Sequence, residues 1–312
     1  MIANDYIDFL VLCLSGIPLK ISTMRTTVFF CIASNYWRHA AVAISSLVSN
    51  ADYLDVHVFY ESENPRWQKK INQLFKSSNS RLFYTSFDTS LAKDLKNCGH
   101  LGLSTYFRLF VPNLLKHCQK LIYLDSDLVV LGDINELNAI SIDESVLAAV
   151  PILSQNQTNY HQQRLGYSSK NGYFNAGVLV INVEKWLESD ILAKTLTYHE
   201  NYPERVLYAD QDLLNYVLSA ENQWKHLDYD WNMTVENFAD QIDDSLKIDN
   251  DALSRLRDTP KIVHFNGQYK PWHFRYKHPF KKEYTRRRQS LQKRIYISDD
   301  FPGFLIKYLH RT

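Results

Sequence analysis

The chain has 312 residues, 45% hydrophobic and 22% charged, which supplies a large core for one or two domains and excludes a disordered chain. Its formal net charge of +1 conceals an asymmetry: residues 261–312 carry 13 Lys/Arg against 3 Asp/Glu, so the remainder is acidic and the basic end is expected to have a partner of its own. The cysteines Cys13, Cys31, Cys98 and Cys118 form no Cys-x-x-Cys, so they are expected to be reduced thiols of a cytoplasmic protein, not a disulfide or zinc framework.

The apolar run from Phe9 to Leu14 is too short to span a bilayer, and Asp5 and Asp8 stand where a signal peptide would be positive. Residues 1–23 therefore read as an extension, with Met24 an alternative start. Thr27 to Ile32 is a continuous apolar run suited to a strand covered on both faces, and Arg38 to Leu47 has the Ala-rich spacing of a crossover helix. Leu54 to Tyr60 alternates as a strand, Asn64-Pro65 turns into a helix from Arg66 to Phe75, and Arg81 to Tyr84 resumes the sheet. A helix from Ser104 to Lys116 precedes the strand ending at Leu124, giving a βαβαβαβ order and predicting a doubly wound α/β fold of the kind that binds phosphorylated ligands. Further on, Val146 to Val150 and Tyr173 to Ile181 read as strands, Glu184 to Leu196 as one helix, Pro203 to Arg205 as a loop and Asp210 to Leu218 as a helix. The acid-rich stretch 228–258, with Asp240, Asp243, Asp244, Asp249 and Asp251, reads as a solvated variable insertion in preference to a binding element.

Chemistry concentrates at Leu121-Ile122-Tyr123-Leu124-Asp125-Ser126-Asp127, an apolar strand that stops on two carboxylates. A buried strand delivers its last residues to the carboxyl edge of the sheet, where such folds bind ligands. In an extended chain Asp125 and Asp127 would point the same way and share a hard divalent cation, while Ser126 faces elsewhere. Helix capping and a solvated turn are the competing readings. A second segment, Lys261 to Trp272, offers His264 at a strand end, Gly267 for close backbone approach and Lys270 as a cation for phosphate oxygens. Joined to the two acids, His264 completes an O,O,N donor set suited to Mn²⁺ or Mg²⁺.

In this order the residues resemble the bacterial family 8 glycosyltransferases, retaining enzymes of lipopolysaccharide or lipooligosaccharide assembly that are related to the glycogenins. Ile122 to Asp127 is similar to their Leu-Tyr-Leu-Asp-x-Asp, and His264, Gly267, Lys270, Pro271 and Trp272 to their closing His-x-x-Gly-x-x-Lys-Pro-Trp. His100 to Leu109, Phe174-Asn175-Ala176-Gly177 and Asp210-Gln211-Asp212 are similar to three further motifs. The resemblance implies a single nucleotide-sugar-binding Rossmann-like domain of GT-A type over residues 24–272, with a mostly parallel sheet and a basic helical tail over 273–312.

It further implies a Mn²⁺ or Mg²⁺ cofactor on Asp125, Asp127 and His264. Donor contacts are implied from Asn35, Tyr36, Arg108, Ser126, Asn175, Ala176, Gly267 and Lys270, and reaction-centre roles for Asp210, Gln211 and Lys270. Surface ion pairing of Arg108, a turn at Asn175 and N-capping by Asp210 are the plainer readings of those residues. The implied reaction moves glucose or galactose from a UDP-sugar to a lipid-linked saccharide. Relatives carry acids after the first strand, where this chain reads Ala33-Ser34, so uridine selection is the weakest part of the implied donor. Two other readings remain, a catalytically silent nucleotide-sugar-binding protein and a metal-dependent phosphohydrolase. Lys281, Lys282, Arg286, Arg287, Arg288, Lys293 and Arg294 lie among Phe280, Tyr284, Leu291, Ile295 and Tyr296, a pattern expected to rest on the anionic inner face of the cytoplasmic membrane, with nucleic-acid binding and a merely solvated basic helix as the alternative readings.

Overall fold

The computed structural model describes residues 25–96, 98, 102–238 and 245–292. Cys13, the run from Phe9 to Leu14, Met24, His100, Leu101, Asp240, Asp243, Asp244, Lys293, Arg294, Ile295 and Tyr296 lie outside the described residues. Strand β1 (Thr26–Ile32) is apolar from Val28 onward because the sheet is covered on both sides: Val28, Phe30 and Ile32 enter one core cluster, Phe29 and Cys31 the other. It leads to α1 (Trp37–Asn50), buried along almost its whole length from Trp37 to Leu47, and to β2 (Leu54–Tyr60). Helix α2 (Pro65–Leu74) starts where expected, with the Asn64 side chain accepting from the Trp67 N–H and Pro65 in the first turn. After β3 (Arg81–Ser86), a 3₁₀ turn at Leu103–Tyr106 precedes α3 (Phe107–Leu114) and β4 (Lys120–Leu124).

β1 pairs in parallel with both β2 and β4, and β2 with β3. The chain thus builds outward from β1 on one side and then crosses to the other, so β1 and β4 flank the switch point where open α/β sheets leave a crevice at their carboxyl ends. Beyond it come β5 (Leu128–Val130), α4 (Asn135–Ala139), β6 (Leu147–Pro151), α5 (Gln155–Leu165) and β7 (Phe174–Asn182). They are followed by α6 (Val183–Glu188), α7 (Ile191–Asn201), α8 (Ala209–Ala220), β8 (Trp224–His226), β9 (Met233–Thr234), α9 (Asn250–Asp258), β10 (Ile262–His264) and α10 (Lys281–Gln292). The main sheet has seven strands in the order β3-β2-β1-β4-β7-β6-β8, and a second sheet has three, β5-β10-β9.

The fold is α/β with a mostly parallel central sheet, and several sequence expectations are corrected in detail. β7 runs antiparallel to β4 and β6, a reversal hidden in the sequence because a continuous apolar run fits either direction. That reversal sets Val178, midway along β7, beside Leu124 at the end of β4, and Gly177 beside Asp125. The helix expected from Glu184 to Leu196 is two helices, separated at Ser189 and Asp190, the latter with φ 51°. Pro203–Arg205 is a 3₁₀ turn rather than irregular loop. Residues 228–258 are not simply a solvated insertion, since Trp231, Asn232 and Met233 are buried and β9 pairs with β10.

The basic end is also built in. Tyr284 and Leu291 of α10 are buried in the core beside α1, Phe280 packs against them, and the Tyr284 hydroxyl lies 2.7 Å from His39 Nδ1. These apolar residues face the protein, not a membrane. Among the described residues no helix is long and apolar enough to cross a bilayer.

Candidate active site

Asp125, Ser126 and Asp127 form the turn between β4 and β5 rather than an extended segment. The turn is pinned on both sides: the Asp125 N–H donates to Gly177 O at 2.9 Å, and the Phe265 N–H to Asp127 O at 2.9 Å. His264 ends β10, whose antiparallel register against β5 sets it opposite Leu128, the residue after Asp127. Ser126 does not face elsewhere. It lines the cavity, buried, and its hydroxyl has no hydrogen-bond partner among the described residues.

The two acids are each half occupied. Asp125 Oδ1 accepts from the Tyr123 hydroxyl at 2.5 Å and lies 3.0 Å from Arg108 Nη2, leaving Oδ2 turned to His264 Nε2 at 3.4 Å. Asp127 Oδ2 is paired with Lys270 Nζ, leaving Oδ1 at 3.2 Å from the same Nε2. Burial alone would raise the Asp127 carboxyl, but Lys270 and His264 outweigh it and hold it well below the usual carboxylate range. One oxygen from each acid and one ring nitrogen thus converge, with all three ligand atoms within 4.8 Å of one another. This hard-oxygen and imidazole set, its remaining oxygens already satisfied, fits a divalent cation.

Gly177 makes that convergence sterically possible. A Cβ there would overlap the His264 ring and stand 2.9 Å from Asp125 Oδ2.

Arg108 is no surface ion pair. It is 5% exposed, stacks over the Tyr123 ring at 4.1 Å, and lies between Asp125 and Asp210. Burial would lower its pKa, but the two carboxylates push it up, so the guanidinium stays charged. Its Nη1 donates to Ala176 O at 2.6 Å, and its Nε hydrogen goes to Thr105 O, so the 2.9 Å approach of Nε to Asp210 Oδ2 is ionic rather than a hydrogen bond. Asp210 does not cap α8, whose N-cap is Tyr208 without a side-chain bond. Its carboxylate instead accepts from Thr105 Oγ1 at 2.8 Å, and burial, opposed by Arg108, pushes its pKa up to about 6.

Gln211 has both ends of its amide engaged: Oε1 accepts from the Ala176 N–H at 3.0 Å and Nε2 donates to the Tyr173 hydroxyl at 2.9 Å. Behind it Asp212, fully buried, accepts from Tyr173, Arg164 and the N–H groups of Leu207 and Tyr208. Asn215 completes the scaffold by exchanging two hydrogen bonds with the Phe174 backbone, welding α8 to the strand that carries Asn175. These supports, with Asn232, escaped the sequence reading. Asp212 was visible only as the third letter of a motif, and Asn215 recurs four residues after Gln211 on one helical face.

Every residue singled out from the sequence as a metal, donor or reaction-centre candidate lines one cavity of about 810 Å³ at the carboxyl ends of β1 and β4. Asn35 and Tyr36 enter from the turn after β1, and Tyr36 meets the edge of Trp272 with centroids 5.9 Å apart. Ser34 is engaged elsewhere, donating from N–H and hydroxyl to Glu61 at 3.0 and 2.9 Å. Gly267 has φ +80°, a conformation that disfavours any side chain, although nothing lies within 4 Å of a Cβ placed there.

The sequence profile of glycosyl transferase family 8 matches residues 27–275. The chain belongs to that family. It is similar to general stress protein A of Bacillus subtilis (strain 168), 27% identical over 81% of this chain and 90% of that one. It is also similar to the lipopolysaccharide 1,2-glucosyltransferase of Escherichia coli (strain K12), 25% identical over 79% of this chain and 72% of that protein. Among solved structures, the galactosyltransferase LgtC in complex with donor and acceptor sugar analogs superposes with a TM-score of 0.74 at 22% identity, covering 90% of this chain and 99% of that one. At that identity the likeness establishes the common GT-A fold. In this family 8 chain the Asp-x-Asp pair is present at Asp125 and Asp127.

Proposed function

We propose that the protein is a retaining, metal-dependent hexosyltransferase that moves glucose or galactose from a UDP-sugar to a saccharide of lipopolysaccharide or lipooligosaccharide. The carrying observation is the convergence of Asp125 Oδ2, Asp127 Oδ1 and His264 Nε2 at the sheet's switch point in a family 8 chain. Those three atoms would hold Mn²⁺ or Mg²⁺. A bound divalent cation supplies charge stabilisation for a departing diphosphate.

The chain's own groups fit the remaining tasks. Lys270, 9% exposed and held by Asp127 and Phe265 O, brings a second positive centre to the diphosphate side. Tyr36, Asn35, Ser126 and Gly267 all line the cavity; Tyr36 would stack on the base, Asn35 and the Ser126 hydroxyl would bind the nucleotide, and Gly267 would let the backbone approach the phosphates. Arg108, Asn175 and Ala176, which line the same cavity, would contact the hexose. Retention through a covalent glycosyl-enzyme would need a free carboxylate beneath the anomeric carbon. Asp210 is engaged by Arg108 and Thr105, Asp212 lies fully buried among four donors, and the intervening Gln211 is an amide with both ends bonded. We therefore favour attack by the acceptor hydroxyl on the face the diphosphate leaves, with the leaving phosphate taking the proton.

The deciding experiment measures UDP released from UDP-glucose and UDP-galactose with Mn²⁺, with and without a core saccharide. Acceptor-stimulated release supports transfer; inorganic phosphate released without acceptor, or binding without turnover, refutes it.

Peripheral contact with the anionic inner membrane face would fall to the exposed Arg275, Lys277, Lys282 and Arg286. Co-sedimentation of the whole chain with anionic vesicles, lost when these four are replaced by Glu, tests it.

A further inference from the structure

The His264 ring has two nitrogens, and a cation can use Nε2 only if that atom presents a lone pair. Its proton must then sit on Nδ1, which requires an acceptor there. Nδ1 lies 3.0 Å from the side chain of Asn232, at the atom assigned as Oδ1. An Asn amide can be turned end for end, so whether that atom is oxygen or nitrogen has to be established from its other contacts.

The neighbours settle it. The Gly177 backbone N–H can only donate, and it meets the Asn175 side chain at 2.9 Å, so the receiving atom is Asn175 Oδ1. That oxygen is also approached at 2.9 Å by the Asn232 amide, and an oxygen is satisfied there only by a donor, which makes the approaching atom Asn232 Nδ2. The other branch of Asn232 is therefore oxygen, and it faces Nδ1. Asn232 is 2% exposed and His264 3%, so water has little access to substitute for either partner.

We propose that Asn232, oriented by Asn175 and the Gly177 N–H, is a positioning residue that keeps the proton of His264 on Nδ1 and so presents Nε2 to the cation. This rests on the cation-binding reading above. It also gives Asn175 two separate tasks: Oδ1 is consumed by the relay, and Nδ2 is left to donate to a sugar hydroxyl. Asn232 lies in the acid-rich stretch that the sequence assigned to a solvated insertion, and it contacts neither acid of the Asp-x-Asp pair in any hydrogen bond or ion pair described.

The test combines ¹⁵N NMR of the metal-free full chain, which reads which ring nitrogen of His264 bears hydrogen, with Mn²⁺ titration calorimetry. In the wild type Nδ1 is expected to carry a proton; a bare Nδ1 beside an Nε2–H overturns the proposal whatever the variants do. Asn232→Leu removes the acceptor and is expected to move the proton to Nε2 and weaken Mn²⁺ binding about 10- to 100-fold. Asn232→Asp keeps an oxygen facing Nδ1 but sets its second oxygen against Asn175 Oδ1, so it is expected to hold the proton on Nδ1 while losing the link to Asn175; an Nε2–H with a bare Nδ1 in this variant overturns the proposal. Unchanged affinity in Asn232→Leu, or weakened affinity with the proton still on Nδ1, overturns the proposal. A wild type that binds no Mn²⁺ removes the cation reading instead, while the ring proton still decides the role of Asn232.

Discussion

Gly177 and His264 fit together only because residue 177 has no side chain: a methyl group there would overlap the imidazole. Gly177→Ala should therefore displace the ring while leaving the sheet pairing of β4 and β7 intact, since backbone N–H and C=O are unchanged. The expected loss in kcat/KM is on the order of a hundredfold, about 3 kcal/mol of transition-state stabilisation. Near-wild-type turnover in this variant would show that His264 need not approach the acids.

Removing the cation itself gives a broader expectation. A chelated preparation should lose activity and regain it on addition of Mn²⁺. Asp125→Asn should lower kcat/KM at saturating Mn²⁺ by at least about a hundredfold, because the freed Oδ2 of a carboxylate is replaced by a neutral amide. Full turnover in chelator would contradict the proposed chemistry.

Asp210 links the site to pH. Its pKa moves from 3.8 to about 6 on burial, so between those values the folded chain binds a proton that the unfolded chain has released. Its contribution to stability is therefore greatest at acid pH and is lost as pH rises through about 6. Relative to Asp210→Asn, whose residue 210 cannot titrate, the wild type should lose about 3 kcal/mol across that window. Denaturant melts at a series of pH values measure the difference, and parallel profiles would exclude it.

How much of this arrangement was legible in advance depended on the kind of signal each residue carried. The strand β4 and the acids after it announce themselves because an apolar run followed by Asp-x-Asp has both a period and a chemistry. The βα order through β4 followed from alternation of apolar runs and helical spacing. Strand direction did not, because Phe174 to Asn182 is apolar on both faces and reads the same up or down. Asn232 carried no signal at all, since its role exists only through a histidine far along the chain. In α10, Tyr284, Arg288 and Leu291 recur at helical spacing and mark a buried face, but sequence alone could not say whether lipid or protein covers it.

That face yields another expectation. Deleting residues 273–312 should unfold the domain rather than release a dispensable tail, because Tyr276, Tyr284 and Leu291 belong to the core. Tyr284→Phe, which keeps the ring and loses the hydroxyl near the buried His39 and Arg288, should cost about 1–3 kcal/mol without unfolding the chain. Thermal denaturation distinguishes the two, and a truncated chain that melts like the intact one would refute the assignment.

Asp212 offers the sharpest stability contrast. Asp212→Ala strands the Arg164 guanidinium beside a buried vacancy and frees the N–H groups of Leu207 and Tyr208, so the expected loss is about 3–5 kcal/mol. A change below about 1 kcal/mol in chemical denaturation would be the range of a solvent-screened surface pair and would argue against this role.

The three-stranded sheet has a consequence for how the molecule is assembled. β5 begins directly after Asp127, β10 ends on His264 and β9 begins directly after Asn232, so one small ladder gauges the alignment of segments that the chain makes far apart in time. A slip of one rung would send Val263 or Phe265 to the acids and turn the imidazole away. If the proposed cation binds here, a chain with this ladder out of register would lack its donor set, and binding would then favour correctly threaded molecules over misaligned ones by mass action.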